Sequence, residues 1–212
     1  MDASASARPG VWCGEAPLVL ASKSAPRRAM LKAAGLDPQL ICVEIDERAA
    51  EGRFLQGGGR LESLAAALAE EKALAASRSR GDAYCLGADQ TLTLGDRIMH
   101  KPRDLVEAAR SLAALAGREH RLTSAFSIAR AGRTLVVDAD HAHLRMRALE
   151  PREIELYLEL AGGAVLSSVG AYQFEGLGVH LFDRVEGDFG TILGLSMLRL
   201  LRWLRQEKLI LL

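Results

Sequence analysis

With 212 residues, of which 49% are apolar, the chain is long enough to enclose one large core or two small lobes. Its 27 basic and 27 acidic residues cancel, which excludes a protein built to coat a polyanion but not a local basic pocket for a small phosphorylated ligand. Cys13, Cys42 and Cys85 are odd in number and too widely spaced for a zinc motif or a closed disulfide set, so a reducing, cytoplasmic setting is expected.

Residues 1–16 have no hydrophobic signal core and read as a flexible, Ala/Ser-rich extension. No stretch is apolar and long enough to span a bilayer. A strand is predicted over Pro17–Ala21 and a helix over Pro26–Ala34, with Gly35 just past its end. Between them, Ser22-Lys23-Ser24-Ala25-Pro26-Arg27-Arg28 combines serine hydroxyls, a helix N-terminus and two arginines. Proline suits a first helical turn, but arginines there oppose the helix dipole. Together these groups can cradle an anion such as phosphate; taken alone, the stretch reads equally well as a turn with solvated arginines.

A second strand is expected over Gln39–Glu44, followed by the charged cluster Ile45-Asp46-Glu47-Arg48. Glu51–Arg60, with Gly52 and Gly57-Gly58-Gly59, reads as a mobile loop. Leu61, Leu64, Leu68 and Leu74 make one helical stripe, with Lys72 late on that helix. Ala83–Ala88 reads as a buried strand ending abruptly at Asp89-Gln90, before a hairpin of Thr91–Leu94 and Arg97–Met99 about Gly95-Asp96. Asp104 and Glu107 resemble a capping box opening a helix that stops at Gly117. His120–Ala129 and Thr134–Arg147 form a long hairpin, and Pro151 starts a helix ending at Gly162-Gly163. Short strands are expected over Val165–Val169 and Val179–Val185, with the polar glycine loop 173–178 between them. A terminal amphipathic helix covers 195–207, and Leu209–Leu212 is expected to pack against the body. Alternating strands and helices interrupted by hairpins predict an α/β fold with a mixed sheet.

Asp89 is the strongest single candidate, because a carboxylate just past a buried strand sits where α/β sheets place ligands. Capping of the turn into Thr91 is the simpler alternative. Glu44, Asp46, Glu47, Lys72, Lys101 and Glu175 also fall at or near element ends. Each alone reads as a surface charge; jointly they are the inventory of phosphoryl chemistry, with carboxylates for a divalent ion and a base, and cations for phosphate oxygens. His141 and His143 share a strand face, but Arg145 and Arg147 continue it, so a solvated face is expected. Gly176-x-Gly178 is too short for a dinucleotide fingerprint, and no histidine is placed to activate Ser22 or Ser24. An aspartyl-phosphate phosphatase would need a second acid two residues after Asp89, where Thr91 stands.

From about Leu18 to Gln206 the chain resembles the Maf family of nucleoside triphosphate pyrophosphatases. The resemblance is carried, in fixed order, by Leu20-Ala21-Ser22-Lys23-Ser24 with the arginines after it, Glu44-Ile45-Asp46-Glu47, Leu68-Ala69-Glu70-Glu71-Lys72-Ala73, Gly87-Ala88-Asp89-Gln90, Lys101-Pro102, Gly170-Ala171-Tyr172, Glu175-Gly176-Leu177-Gly178 and Glu186-Gly187-Asp188. It implies an elongated mixed twisted sheet flanked by helices, with two lobes about a cleft, as in inosine triphosphate pyrophosphatases, in a single domain over 17–212. It implies hydrolysis of a nucleoside triphosphate to monophosphate and pyrophosphate with Mg²⁺ or Mn²⁺. Asp89 matches the proton acceptor, and Ser22, Ser24, Arg27, Glu44, Lys72 and Lys101 match positions handling phosphate and metal, the metal falling to Glu44 and Asp89.

Gln90 and Glu175 match the subgroup acting on 7-methyl-GTP rather than the pyrimidine-preferring one, and a glutamate suits a cationic methylated guanine. Pro26 departs from the usual Ser-Pro-Arg-Arg spacing at a position the family links to specificity, while His100, Ser167-Ser168-Val169 and Ser196 are further departures. A dTTP- or UTP-preferring enzyme and a nucleotide-sensing cell-division regulator with little turnover are the alternatives. The expected partners are a nucleoside triphosphate, no nucleic acid and no membrane, with a homodimer as the one assembly allowed for.

Overall fold

The computed structural model describes residues 10–212, so the first nine residues of the expected extension lie outside the described residues. The rest of that extension makes contacts with the C-terminal segment. Trp12 bridges antiparallel to Ile210, Cys13 N donates to Leu209 O, and the Trp12 indole N–H donates to Ala16 O. The same contacts hold Leu209 and Ile210 against the body, both buried.

One seven-stranded mixed sheet organises the chain. The apolar run Leu18–Ala21 (β1) is buried throughout and pairs in parallel with the two-residue Gln39–Leu40 (β2) and with the start of Tyr84–Leu94 (β3). Arg97–Met99 (β4) folds back on the end of β3 across the predicted Gly95-Asp96 turn, where Gly95 has φ +60°. Glu119–Arg130 (β5), Arg133–Met146 (β6) and Phe182–Glu186 (β7) extend the sheet antiparallel beyond β3.

The strand predicted to end before Asp89 instead runs straight through it. Residues Cys85–Thr93 pair without a break with β5, so the strand continues past Asp89 and Gln90 whatever the polarity of their side chains. The interruption lies on the other edge of β3. There β1 pairs only as far as Ala21 opposite Gly87, and β4 begins at Met99 opposite Leu92. Among the described residues, Ala88–Thr91 thus has no strand neighbour on that edge. The sheet forks, and the two prongs are the walls of a cleft.

Each prong carries its own core on the shared strands. Leu20, Leu31, Leu86, Phe126, Leu200 and Leu204 pack on one side of the fork, and Leu92, Leu112, Leu115, Leu122, Leu144 and Tyr157 on the other. The helices supplying them are Ala25–Ala33 (α1), Leu105–Leu115 (α4), Pro151–Ala161 (α5) and Met197–Gln206 (α7). Asp104 caps α4 as its spacing predicts, its carboxylate accepting from Glu107 N at 2.7 Å.

Three local expectations are corrected. The supposed loop is a helix, Glu47–Gln56 (α2), because Asp46 caps it by accepting from Ala49 N at 3.0 Å and because Ala50 and Phe54 pack onto Leu64, Leu68 and Ile98. Its glycine cluster ends the helix rather than dissolving it. Val165–Val169 forms 3-10 turns over 162–167 and 169–171, since the chain closes on itself there, with Ser168 N donating to Val165 O and Gly170 at φ +76°. Residues 177–181 form another 3-10 turn, so the last strand starts at Phe182. The expected terminal helix is present as α7, and a short helix not foreseen, Phe189–Leu193 (α6), precedes it across Gly194.

The helix Leu61–Ser79 (α3) lies on β3 and β5 through fully buried Ala65, Ala69, Ala73 and Ala76. Small residues let it approach so closely that a Cβ at Gly87 would stand 2.2 Å from Ala69 O and 2.5 Å from Ala73 N. Gly87→Ala is therefore expected to destabilise by about 3 kcal/mol and lower the Tm by roughly 10 °C, because backbone, not a flexible side chain, blocks the methyl group. Gly52→Ala, which meets open space inside α2, is expected to be neutral or to stabilise by about 0.5–1 kcal/mol. Thermal melts of both variants check the pair; equal effects would show that α3 does not depend on this contact.

A buried histidine makes the fold acid-sensitive. His120 on β5 is 2% exposed, and its Nε2 lies 2.8 Å from the Tyr172 hydroxyl. Burial pushes its pKa down to about 4, against an ordinary value of 6.5. The neutral form is the one that folds, so this contribution is complete above about pH 6.5 and is lost as pH falls towards 4, by roughly 3 kcal/mol in all. Denaturant unfolding across that window is expected to show a shallower decline in His120→Gln than in the parent protein.

Candidate active site

The fork opens into a cleft of about 1080 Å³. The residues matched to phosphate, metal and base recognition line it: Ser22, Ser24, Pro26 and Arg27 from the β1–α1 turn, Glu44 beyond β2, Lys72 on α3, Asp89 and Gln90 on the stretch of β3 with one open edge, Lys101 after β4, and Glu175 in the glycine loop. Arg28 does not line it and is exposed.

The cleft floor is ionic. The Lys72 ammonium lies 2.5 Å from Asp89 Oδ1 and 2.6 Å from Glu47 Oε1. Lys72 and Asp89 are both 8% exposed, so each needs the other, since a lone buried charge costs several kcal/mol. The close seat of α3 at Gly87 brings Lys72 there. Burial pushes the Glu47 carboxyl up, but the Lys72 hydrogen bond and the charges of Lys72, Lys101 and Arg27 outweigh it and hold Glu47 below its ordinary value, as an anion.

Glu47 is the partner that sequence reading left inside an undifferentiated charge cluster. Its signal was available: Asp46 as N-cap places Glu47 in a first helical turn, where a carboxylate is favoured and its orientation is set.

Arg27 is a pin as much as a ligand-handling group. It is buried; its Nε donates to Gly194 O at 2.7 Å, and its Nη1 donates to Ala88 O at 2.9 Å and Ser22 Oγ at 3.1 Å. Ala88 is on the stretch of β3 that lacks a strand neighbour, so the guanidinium satisfies a carbonyl the fork leaves free. Burial lowers its pKa, with Asp89 and Glu47 opposing that shift, and an arginine so placed stays charged. Ser24 caps α1 by accepting from Arg27 N at 3.4 Å, and Ser22 Oγ accepts from Ser24 N at 3.3 Å. The two serines thus shape the turn before they touch any ligand.

Gln90 lies on the other face of β3. Its Nε2 donates among Thr191 O at 2.9 Å, Ile192 O at 3.0 Å and Ser124 Oγ at 3.0 Å. Carbonyls only accept, so the amide orientation is chemically determined and Oε1 is the atom left for a ligand. Glu44, Lys101 and Glu175 stand exposed on the walls.

Among the described residues no group of three or more His, Cys, Asp or Glu side chains converges on a point. The donor set nevertheless suits a hard cation that keeps several waters and takes one or two carboxylates beside substrate phosphates, with Asp89 and Glu47 meeting on the floor and Glu44 on the wall.

Residues 17–207 match the family model described as Maf-like protein. A protein of Rhodopseudomonas palustris strain BisB18, named nucleoside triphosphate pyrophosphatase, is 48% identical over 202 residues, covering 94% of this chain and 98% of its own. A like-named protein of Bradyrhizobium diazoefficiens is 45% identical, covering 95% and 98%. A protein of Brucella abortus biovar 1 named 7-methyl-GTP pyrophosphatase is 47% identical over 193 residues, covering 91% and 97%. With a forked mixed sheet, a cleft assembled from the ordered motifs and matches over nearly its whole length, the chain belongs to the Maf family.

Proposed function

We propose that this protein hydrolyses a nucleoside triphosphate to a nucleoside monophosphate and pyrophosphate. The observation that carries the reading is the Asp89–Lys72–Glu47 array on the floor of a cleft that Lys23 and Lys101 also line, in a chain whose relatives bear that activity in their names. Asp89 takes a proton from water as its oxygen bonds to the α-phosphorus, and the bond to the bridging oxygen breaks to release pyrophosphate. Lys72 holds the carboxylate in place and offsets its charge. Lys101 and Lys23, exposed on the walls, neutralise the leaving group. A divalent cation, Mg²⁺ or Mn²⁺, supplies further neutralisation of phosphate oxygens when bound, with Glu44, Glu47 and Asp89 as the carboxylates that would hold it.

For the base, 7-methyl-GTP is the favoured substrate. Relatives of either printed name match about equally well, at 48% and 47%, so identity does not choose and side chains must. Gln90 offers an acceptor only, and Glu175 offers a carboxylate. Two acceptors suit a guanine edge with several N–H donors, and the anion suits the methylated ring's positive charge. A cytoplasmic location accords with three free cysteines, two of them exposed. Among the described residues no helix is long and apolar enough to cross a membrane.

Incubation with Mg²⁺ or Mn²⁺ and a panel of 7-methyl-GTP, GTP, dTTP and UTP is expected to yield monophosphate and pyrophosphate; orthophosphate alone, or binding without product, would overturn the reading. Asp89→Asn is expected to lose at least about a hundredfold in kcat and, because it leaves the buried Lys72 ammonium with Glu47 alone, to melt below the parent while still folding cooperatively. Near-normal turnover in that variant would remove Asp89 as the base. Glu175→Gln is expected to reduce kcat/KM for 7-methyl-GTP relative to UTP by about tenfold, the scale of one lost charged contact; an unchanged ratio would take Glu175 out of base recognition.

A further inference from the structure

Gln90 and Arg27 are held by the same short piece of backbone, the carbonyls at the end of α6. Thr191 O and Ile192 O accept from Gln90, Gly194 O accepts from Arg27, and Thr191 O also accepts from the buried Ser124 hydroxyl at 2.6 Å. These carbonyls stand at a helix C-terminus, where last-turn acceptors face outward, and here they aim side chains into the cleft, Thr191 O while also accepting from Gly194 N at 3.2 Å. Gly194, at φ +101°, makes the turn, with the Arg27 guanidinium 3.3 Å from where its Cβ would stand.

A five-residue helix does not hold itself in place. Asp188 caps its start, accepting from Thr191 N at 3.2 Å, and Asp140 on β6 ties down its far side. Asp140 Oδ2 accepts from Thr191 Oγ1 and from Ser196 Oγ, both at 3.3 Å, and lies 3.5 Å from Arg199 Nε. Asp140 Oδ1 accepts from His141 N at 3.0 Å, so both oxygens are engaged. Arg199 is itself steadied by Asp138 at 3.1 Å. Ser196 sits at the N-cap of α7, yet its hydroxyl goes to Asp140 and caps nothing. Thr191 and Ser196 are buried, so without Asp140 two hydroxyls lose their acceptor. None of Asp140, Thr191, Ser196 or Arg199 lines the cleft.

We propose that Asp140, seconded by Arg199, is a positioning residue of the active site: it anchors α6 from behind, and α6 in turn fixes Gln90 as an acceptor and Arg27 across the fork. The inference rests on the pyrophosphatase reading for what Gln90 does, but not for how Gln90 is held. Loosening the anchor should change base discrimination, which a purely stabilising contact would leave alone.

The test uses Asp140→Ala, Asp140→Asn and Thr191→Val, the last removing one hydroxyl with little change of shape. Asp140→Ala and Thr191→Val are expected to shift the ratio of kcat/KM for 7-methyl-GTP over UTP by about tenfold, and Asp140→Asn, which keeps an acceptor, by less. In a Gln90→Ala background Asp140→Ala is expected to leave the ratio where Gln90→Ala alone puts it; additive effects would overturn the proposal. A second readout is independent of turnover. The side-chain amide ¹⁵N–¹H signals of Gln90, identified by their loss in Gln90→Ala, are expected to move or broaden in Asp140→Ala and Thr191→Val. Unmoved signals would sink the positioning role. Absence of pyrophosphate from every nucleotide with the parent protein would sink the function reading instead, leaving the amide signals to decide the anchor.

Discussion

The Lys72 ammonium is the contact on which the cleft depends. It joins three elements, α3, β3 and α2, through one buried cation between Asp89 and Glu47. Such an array is costly to desolvate, and removing one partner costs more than removing all, because the remaining charge is stranded. The geometry behind it is steric. A stripe of alanines on α3 and the missing side chain of Gly87 let the helix backbone lie against the strand, so that a lysine on its edge reaches the carboxylate two residues along. A bulkier seam would lift α3 and separate the pair.

A second constraint is the fork in the sheet. Parallel pairing with β1 stops at Gly87 and antiparallel pairing with β4 starts at Leu92, leaving a short open edge in the middle of a long strand. An open edge inside a protein is a liability for its carbonyls and amides. Arg27 answers part of it by donating to Ala88 O, and the same guanidinium reaches Ser22 and Gly194. The chain thus closes one side of the gap with a cation and leaves the rest as a cleft. A single feature, the mismatch in length between β3 and its two neighbours on one edge, accounts for the two cores, the cleft and the burial of an arginine.

Much of this was legible beforehand, for local reasons. The hairpins about Gly95-Asp96 and Ala131-Gly132, the Asp104 cap and the helix from Pro151 follow from turn and cap chemistry that acts within a few residues. What escaped was non-local. Gly52 and Gly57-Gly58-Gly59 locally favour a loop, whereas Ala50 and Phe54 find a surface on α3 and β4 that only the folded chain provides. Asp89 looked like the end of a strand because polarity changes there, whereas β5 pairs straight past it. Residues 165–169 carry strand-forming side chains, yet they hydrogen-bond within the segment and coil into 3-10 turns.

The sequence by itself determined the family, the α/β class and the roster of side chains that line the cleft, because each motif is short, local and held in a constant order. Only the tertiary structure decided what those side chains do to one another. It placed Glu47 on Lys72, turned Arg27 inward as a pin, left Gln90 with its oxygen free, and set Asp140 behind α6. The reason is distance along the chain. Gln90 meets Thr191 across 101 residues and Arg27 meets Gly194 across 167, and no local pattern carries information about which partner a donor will find once the sheet has closed.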